Sequence, residues 1–125
     1  MKIAVICANG KEGKLIVEEA IARGADVTAV VRGENQSAAA SVIRKDLFDL
    51  TVADLEGFDV VIDAFGAWMP ETLPQHSTSL KHLCDLVSGK ETRLLVVGGA
   101  GSLYVNPEHT VQVMDGADFP EIFKP

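Results

Sequence analysis

One short stretch of this sequence concentrates residues suited to holding an anion: Cys7-Ala8-Asn9-Gly10-Lys11-Glu12-Gly13. It follows an apolar run and opens a helical pattern. A turn of that kind lets backbone N–H groups and the positive end of a helix meet a phosphate. Gly10 would admit a pyrophosphate at close range, and Gly13 would let the helix pack tightly on the preceding strand. The glycines alone serve an ordinary strand-to-helix turn equally well. Two further low-bulk turns add weight: Ala64-Phe65-Gly66-Ala67, and Gly98-Gly99-Ala100-Gly101-Ser102. Three such turns on one sheet edge would line a cleft that a flat molecule can approach.

Arg32 closes a second apolar run. In dinucleotide binders an acidic residue here holds a ribose 2′-OH, whereas an arginine suits a 2′-phosphate. Lys11 would assist, and Glu34 pulls the other way; the plain alternative is a solvated surface arginine. The remaining reactive side chains carry less. His76, His82 and His109 have no partner at ligand spacing, so no metal site is expected, and the first two read as helix-surface residues. Cys7 and Cys84 lie far apart, in no CxxC pattern, and read as small buried residues. Trp68 and Met69 fit a pocket wall and the start of a helix cap equally well. No catalytic residue is assigned.

The elements that must position these residues are legible as short apolar blocks. Ile3–Cys7, Val27–Val31, Val60–Phe65 and Leu94–Val97 are β-branched runs of the kind buried on both faces of a parallel sheet; Ser41-Val42-Ile43-Arg44 is a weaker fifth. Between them fall one-sided helical patterns. One runs from Lys14 to Arg23 and stops at Gly24, and another from about Pro74 to Val87, with Leu80, Leu83, Cys84 and Val87 on its stripe. Thr51-Val52-Ala53-Asp54 has the form of a capping box opening a short helix that ends at Gly57. The link from Gly33 to Ala40 is too short for a usual parallel crossover and predicts a single helical turn or an irregular loop. Strand–helix alternation with right-handed crossovers predicts an α/β fold: a Rossmann-like, doubly wound parallel sheet of about five strands in order 3-2-1-4-5, with helices on both faces.

The 125 residues amount to one domain, 1–125, with 105–125 expected to be mostly loop around a short strand at Val111-Gln112-Val113. Acidic residues outnumber basic ones, 18 against 11, for a formal charge of −7. That surplus argues against a nucleic-acid partner and against an anionic membrane. No signal peptide or membrane-length apolar run is evident, and a cytoplasmic location is expected.

Taken together, Lys2-Ile-Ala-Val-Ile-Cys-Ala-Asn-Gly-Lys-Glu-Gly13, Val30-Val-Arg32, Lys45-Asp-Leu-Phe-Asp49, Asp59-Val-Val-Ile-Asp-Ala-Phe-Gly66 and Leu94-Leu-Val-Val-Gly-Gly-Ala-Gly-Ser-Leu-Tyr104 resemble the atypical short-chain dehydrogenase/reductases that bind NAD(P)H. The matching group includes NADH-flavin reductases and NmrA-like proteins. The chain departs from the family's G-x-x-G-x-x-G pattern by placing Cys7 where the first glycine belongs. A Tyr-x-x-x-Lys pair is absent too, since Tyr104 is followed four residues on by Glu108.

The resemblance implies cofactor contacts from Asn9, Gly10, Lys11, Glu12, Gly13, Arg32, Ala64, Phe65, Gly66, Gly98 and Gly99, with Asp46 and Leu47 at the adenine edge. For Asp46 the alternative is a strand-end residue capping the next turn. The implied activity is an oxidoreductase that takes hydride from NADPH, with NAD(H) also admitted, to a flavin or quinone-like acceptor. A non-catalytic NAD(P)-sensing protein is the alternative. A flavodoxin-like receiver domain would need an acidic cluster after the first strand, which Cys7-Ala8-Asn9 does not supply. Members of the group run well beyond the stretch matched here, so the resemblance implies a chain truncated at its C-terminus. It would retain the cofactor cleft, lack most of the acceptor pocket, turn over weakly, and expose a sheet edge open to homodimer formation.

Overall fold

A computed structural model describes residues 1–66, 69–98, 104–112 and 115–116. Five strands, β1 (Lys2–Ile6), β2 (Asp26–Val31), β3 (Ser41–Arg44), β4 (Val60–Asp63) and β5 (Arg93–Val96), form one sheet in order β3-β2-β1-β4-β5. Every pairing is parallel. The helices are α1 (Lys11–Ala22), α2 (Val52–Leu55) and α3 (Gln75–Val87), with single 3₁₀ turns at Leu47–Asp49 and Pro70–Thr72. The expected architecture and strand order are therefore present.

Alternation along β1 divides the core. Ile3 and Val5 face one side and meet Val17, Ile16 and Ala20 of α1. Ala4 and Ile6 face the other and meet Leu55, Phe58 and Leu83 from the α2–α3 layer. Both faces of the central strands are thus covered, as a parallel sheet requires.

Elements end where their residues dictate. Gly24, Gly57 and Gly89 take positive φ just beyond α1, α2 and α3. Thr51 and Asp54 form the expected capping box of α2. The connection from 33 to 40 is an irregular loop with no helical turn. Asn35 knits it together, its Oδ1 accepting from the Ser37 N–H at 3.0 Å and its Nδ2 donating to the Ala39 carbonyl at 2.9 Å.

Several expectations need correction. Helix α1 begins at Lys11, three residues before the expected Lys14, because the chain turns sharply enough at Cys7–Gly10 to enter the helix at once. Of the expected stripe of α3, Leu83 is buried and Val87 packs against the core, but Cys84 is exposed and Ser79 is buried in its stead. Strand β5 is not buried on both faces, since Leu95, Val96 and Val97 are each more than 40% exposed. Among the described residues it is an edge strand, paired with β4 alone. In the tail, Tyr104 and Gln112 form a single antiparallel bridge, and the Tyr104 and His109 rings stack at 5.0 Å. Val113 lies outside the described residues.

The tightest point of the fold is where α1 crosses the end of β1. A Cβ on Gly13 would stand 2.3 Å from the Cys7 carbonyl oxygen and 2.8 Å from the Ala8 Cα. Both are backbone atoms and cannot swing aside. Gly13→Ala should therefore push α1 away from the sheet and lower stability by about 2 kcal/mol. Thermal or denaturant unfolding checks this; a variant as stable as the parent would show that α1 has room to move.

Candidate dinucleotide site

The carboxyl ends of all five strands lie on one edge of the sheet, and the sequence-predicted site residues gather there. The first turn is suspended from the neighbouring strand: the Cys7 and Ala8 amides both donate to the Val30 carbonyl of β2, at 3.0 and 3.4 Å. The Gly10 amide closes the turn on the Cys7 carbonyl at 3.0 Å. Gly10 is the N-cap of α1, and no side chain caps that end. The first backbone bond into the helix is Lys14 N–H to the Gly10 carbonyl, at 2.9 Å. The amides of Lys11, Glu12 and Gly13 consequently have no backbone partner among the described residues. They form the positive end of a 12-residue helix, a cradle suited to an anion.

Cys7 stands where the family places glycine, and its φ is +60°. A side chain in that left-handed region costs on the order of 1 kcal/mol. The Cys7 thiol is half-buried, and its pKa is pushed up to about 11 by burial first and by Asp63 and Asp46 second, against the pull of Arg32. At neutral pH it is a thiol and not a thiolate, in line with a packing role. These electrostatic effects also place Arg32, Asp46 and Asp63 around the turn.

The remaining predicted residues, Gly99 excepted, lie among the described ones. Arg32 is exposed immediately after β2, and Lys11 is exposed at the first turn of α1. Neither makes an ion pair among the described residues. Asp46 caps the turn at 47–49, accepting from the Phe48 N–H at 3.0 Å, which is the alternative considered for it. Leu47 is buried in the core, and its carbonyl accepts from the Leu50 N–H at 3.2 Å. Ala64 and Phe65 are half-buried just beyond β4, Gly66 is exposed, and Gly98 is exposed just beyond β5. Gly99, Ala67, Trp68 and 100–102 lie outside the described residues. Met69 is exposed and precedes the turn at 70–72, its carbonyl accepting from the Thr72 N–H. The Asn9 side chain is fully engaged: its Nδ2 donates to the Glu34 carbonyl at 2.7 Å, and its Oδ1 accepts from the Gln36 N–H at 2.6 Å.

One residue of this edge, Asp63, was missed in the sequence, and two histidines sit differently from their expected places. Asp63, the last residue of β4, is only 4% exposed. Its Oδ1 accepts from the Phe65 N–H at 3.0 Å, which fixes the turn that leads into Ala64-Phe65-Gly66. Burial pushes the Asp63 carboxyl above the usual carboxylate range, and the Phe65 N–H and then His76 oppose the shift. His76 is not a helix-surface residue: it is half-buried, with its ring edge-on to Phe65 at 5.8 Å. His82 is likewise half-buried, with Nε2 at 3.0 Å from the Leu50 carbonyl. The available signal was a charged residue closing the block Val60-Val61-Ile62-Asp63.

No group of His, Cys, Asp or Glu side chains among the described residues could hold a metal ion. No described helix is long and apolar enough to cross a membrane. An apolar groove of about 590 Å³, lined by Met1, Ile3, Leu15, Ile16 and Ile62 among others, lies at the amino ends of the strands, away from this edge.

A five-stranded parallel sheet with an uncapped, glycine-bedded helix at the end of its first strand defines the Rossmann-like class of dinucleotide-binding domains. The chain belongs to the NAD(P)H-binding family, whose model matches residues 7–122. It is 43% identical over 128 residues to YwnB, an uncharacterized protein of Bacillus subtilis strain 168, covering all of this chain and 60% of that protein. A solved structure from Streptococcus pneumoniae TIGR4, SP1627, provisionally assigned as an NADH-flavin reductase, is 59% identical with a TM-score of 0.93, covering 98% of this chain and 59% of that one. The Lmo0794 protein of Listeria monocytogenes is 44% identical with a TM-score of 0.71, over 83% of this chain and 63% of that one. The chain thus spans about three fifths of the length of the curated relative it matches.

Two outcomes follow from the burial at this edge. At low pH Asp63 is neutral in both folded and unfolded chains, and its contribution to stability is intact; as pH rises through its elevated folded value, a charge must be held in the interior and that stability is lost. Asp63→Asn keeps the acceptor for the Phe65 N–H without the charge, so it should raise stability at pH 7 and give no gain below the carboxylate range. Unfolding midpoints at both pH values test this, and equal gains at both would contradict it. For the thiols, iodoacetamide at pH 8 should modify exposed Cys84 well before Cys7, as read by peptide mass spectrometry; faster modification of Cys7 would contradict its protonated, sheltered state.

Proposed function

We propose that this chain holds NADP(H) along the carboxyl edge of its sheet and serves as the cofactor-binding portion of a reductase whose acceptor is a flavin or similar small molecule. The observation that carries the reading is the uncapped amino end of α1, with three amides that have no backbone partner among the described residues, on the sheet edge where the exposed Arg32 follows β2. Glycine suits the turn that leads into those amides: a Cβ on Gly10 would come to 3.3 Å from the Cys7 carbonyl. The amides of Lys11, Glu12 and Gly13 would hold the pyrophosphate, and Arg32, with Lys11, the 2′-phosphate. Ala64, Phe65, Gly66 and Gly98 would line the remainder of the cleft. The bound dinucleotide supplies hydride; the protein's part is to hold it in register with the acceptor.

The acceptor reading leans on the similarity to SP1627, and a flavin fits because transfer between two cofactors needs no protein proton donor. The lack of a Tyr-x-x-x-Lys pair in the sequence is equally compatible with a second reading, a non-catalytic NAD(P) sensor. Following NADPH oxidation with FMN, FAD and quinones separates the two: binding without turnover favours the sensor. The open edge of β5 offers a surface for a second copy, which sizing chromatography would reveal.

A charge-assisted contact to phosphate contributes about 1.5–3 kcal/mol. Arg32→Ala should therefore weaken NADPH binding by roughly ten- to a hundredfold while leaving NADH nearly unchanged. Calorimetric titration with both dinucleotides tests this, and equal losses for the two would remove Arg32 from the 2′-phosphate site.

A further inference from the structure

We propose that Asn9 is a positioning residue for cofactor discrimination: it clamps the β2–β3 loop to the phosphate turn and so holds Arg32 where a 2′-phosphate would lie. The inference rests on the cofactor reading above and extends it to a residue that need not touch the cofactor through its side chain.

Asn9 sits in the turn between β1 and α1, and its two amide atoms reach the loop that follows β2. Nδ2 donates to the Glu34 carbonyl at 2.7 Å, and Oδ1 accepts from the Gln36 N–H at 2.6 Å. These partners are 25 and 27 residues away in sequence. Only a carboxamide offers a donor and an acceptor in this fork; an alanine offers neither, and a serine hydroxyl reaches at most part of it. On the near side of the clamp, the Cys7 and Ala8 amides tie the same turn to Val30, two residues before Arg32. On the far side, Asn35 gathers Ser37 and Ala39, and Ala39 is buried against the α1 face of the core. Arg32 and Gly33 therefore lie in a short bridge anchored at both ends. Without the clamp, the stretch from Arg32 to Gln36 loses both of its side-chain bonds to the phosphate turn.

An unclamped loop spends only a fraction of its time with Arg32 in the competent position, and apparent affinity falls by that fraction. The loss is confined to a ligand that uses Arg32. NADPH carries the 2′-phosphate and NADH does not, so the effect appears in the ratio of the two affinities and not in binding as a whole.

The test is a double-mutant cycle on the full chain, with Asn9→Ala, Arg32→Ala and the pair, each titrated calorimetrically with NADPH and NADH. Asn9→Ala should lower the NADPH-to-NADH preference by roughly five- to tenfold, and in the Arg32→Ala background it should have no further effect on NADPH. Hydrogen exchange should speed up at the Gln36 amide in Asn9→Ala, while the α1 amides keep their protection. Asn9→Ser, the milder change, should fall between parent and alanine; it carries the test if the alanine variant does not fold. Equal losses for both dinucleotides, or an undiminished effect of Asn9→Ala without Arg32, would overturn the positioning role. An Arg32→Ala variant with unchanged preference, or a parent chain that binds neither dinucleotide, would instead overturn the cofactor reading, and the inference with it.

Discussion

The contact between α1 and the end of β1 governs the rest of this structure. At Gly13 the helix runs so close to the Cys7 carbonyl that no side chain fits between them. That proximity goes with a sharp turn within Cys7–Gly10 and brings the first amides of α1 to the carboxyl edge of the sheet with no backbone partner among the described residues. Anion-binding capacity is thus a by-product of packing: the helix is stabilised by burying Val17 and its neighbours against β1 and β2, and its uncapped end is left facing the edge. The parallel strand order then adds the other turns to the same edge, since in a parallel sheet every strand finishes on one side.

The edge also gathers features that do not favour stability. Cys7 adopts a backbone conformation that glycine would hold without strain. Asp63 keeps a carboxyl in the interior, and burial raises the titration points of both. The helix amides at 11–13 wait for a partner. Such local costs concentrated in one place, within a fold whose other elements obey ordinary capping and packing rules, are characteristic of functional sites. The Thr51–Asp54 box and the positive-φ glycines after the three helices show the ordinary rules at work elsewhere.

The sequence was legible where its signal was local. Blocks such as Val27–Val31 and Val60–Ile62 announce buried parallel strands, because only a strand covered on both faces tolerates consecutive β-branched residues. Gly13, Thr51 and Gly24 could be assigned their duties from neighbours alone. The rest depended on partners distant in the chain. Leu94–Val97 reads like the other blocks but sits at an edge, because covering it requires chain from elsewhere. Cys84 misled because the face of α3 that meets the core runs through Ser79 and Leu83 and leaves Cys84 just outside it. His76 and His82 read as surface residues because the groups they meet, Phe65 and the Leu50 carbonyl, arrive from other turns. Asn9 was read as a ligand contact; that its side chain is committed to a loop more than twenty residues away emerges only from the fold.

The central claim is that the amino end of α1, together with the turn after β2, forms the seat of a dinucleotide phosphate. The most direct measurement is residue-resolved amide NMR during titration with NADPH. The amides of Lys11, Glu12 and Gly13 should shift most, downfield as they acquire an acceptor, accompanied by those of Arg32 and Gly33. Binding that leaves these amides unmoved, or that perturbs instead the groove between α1 and the amino ends of the strands, would contradict the account.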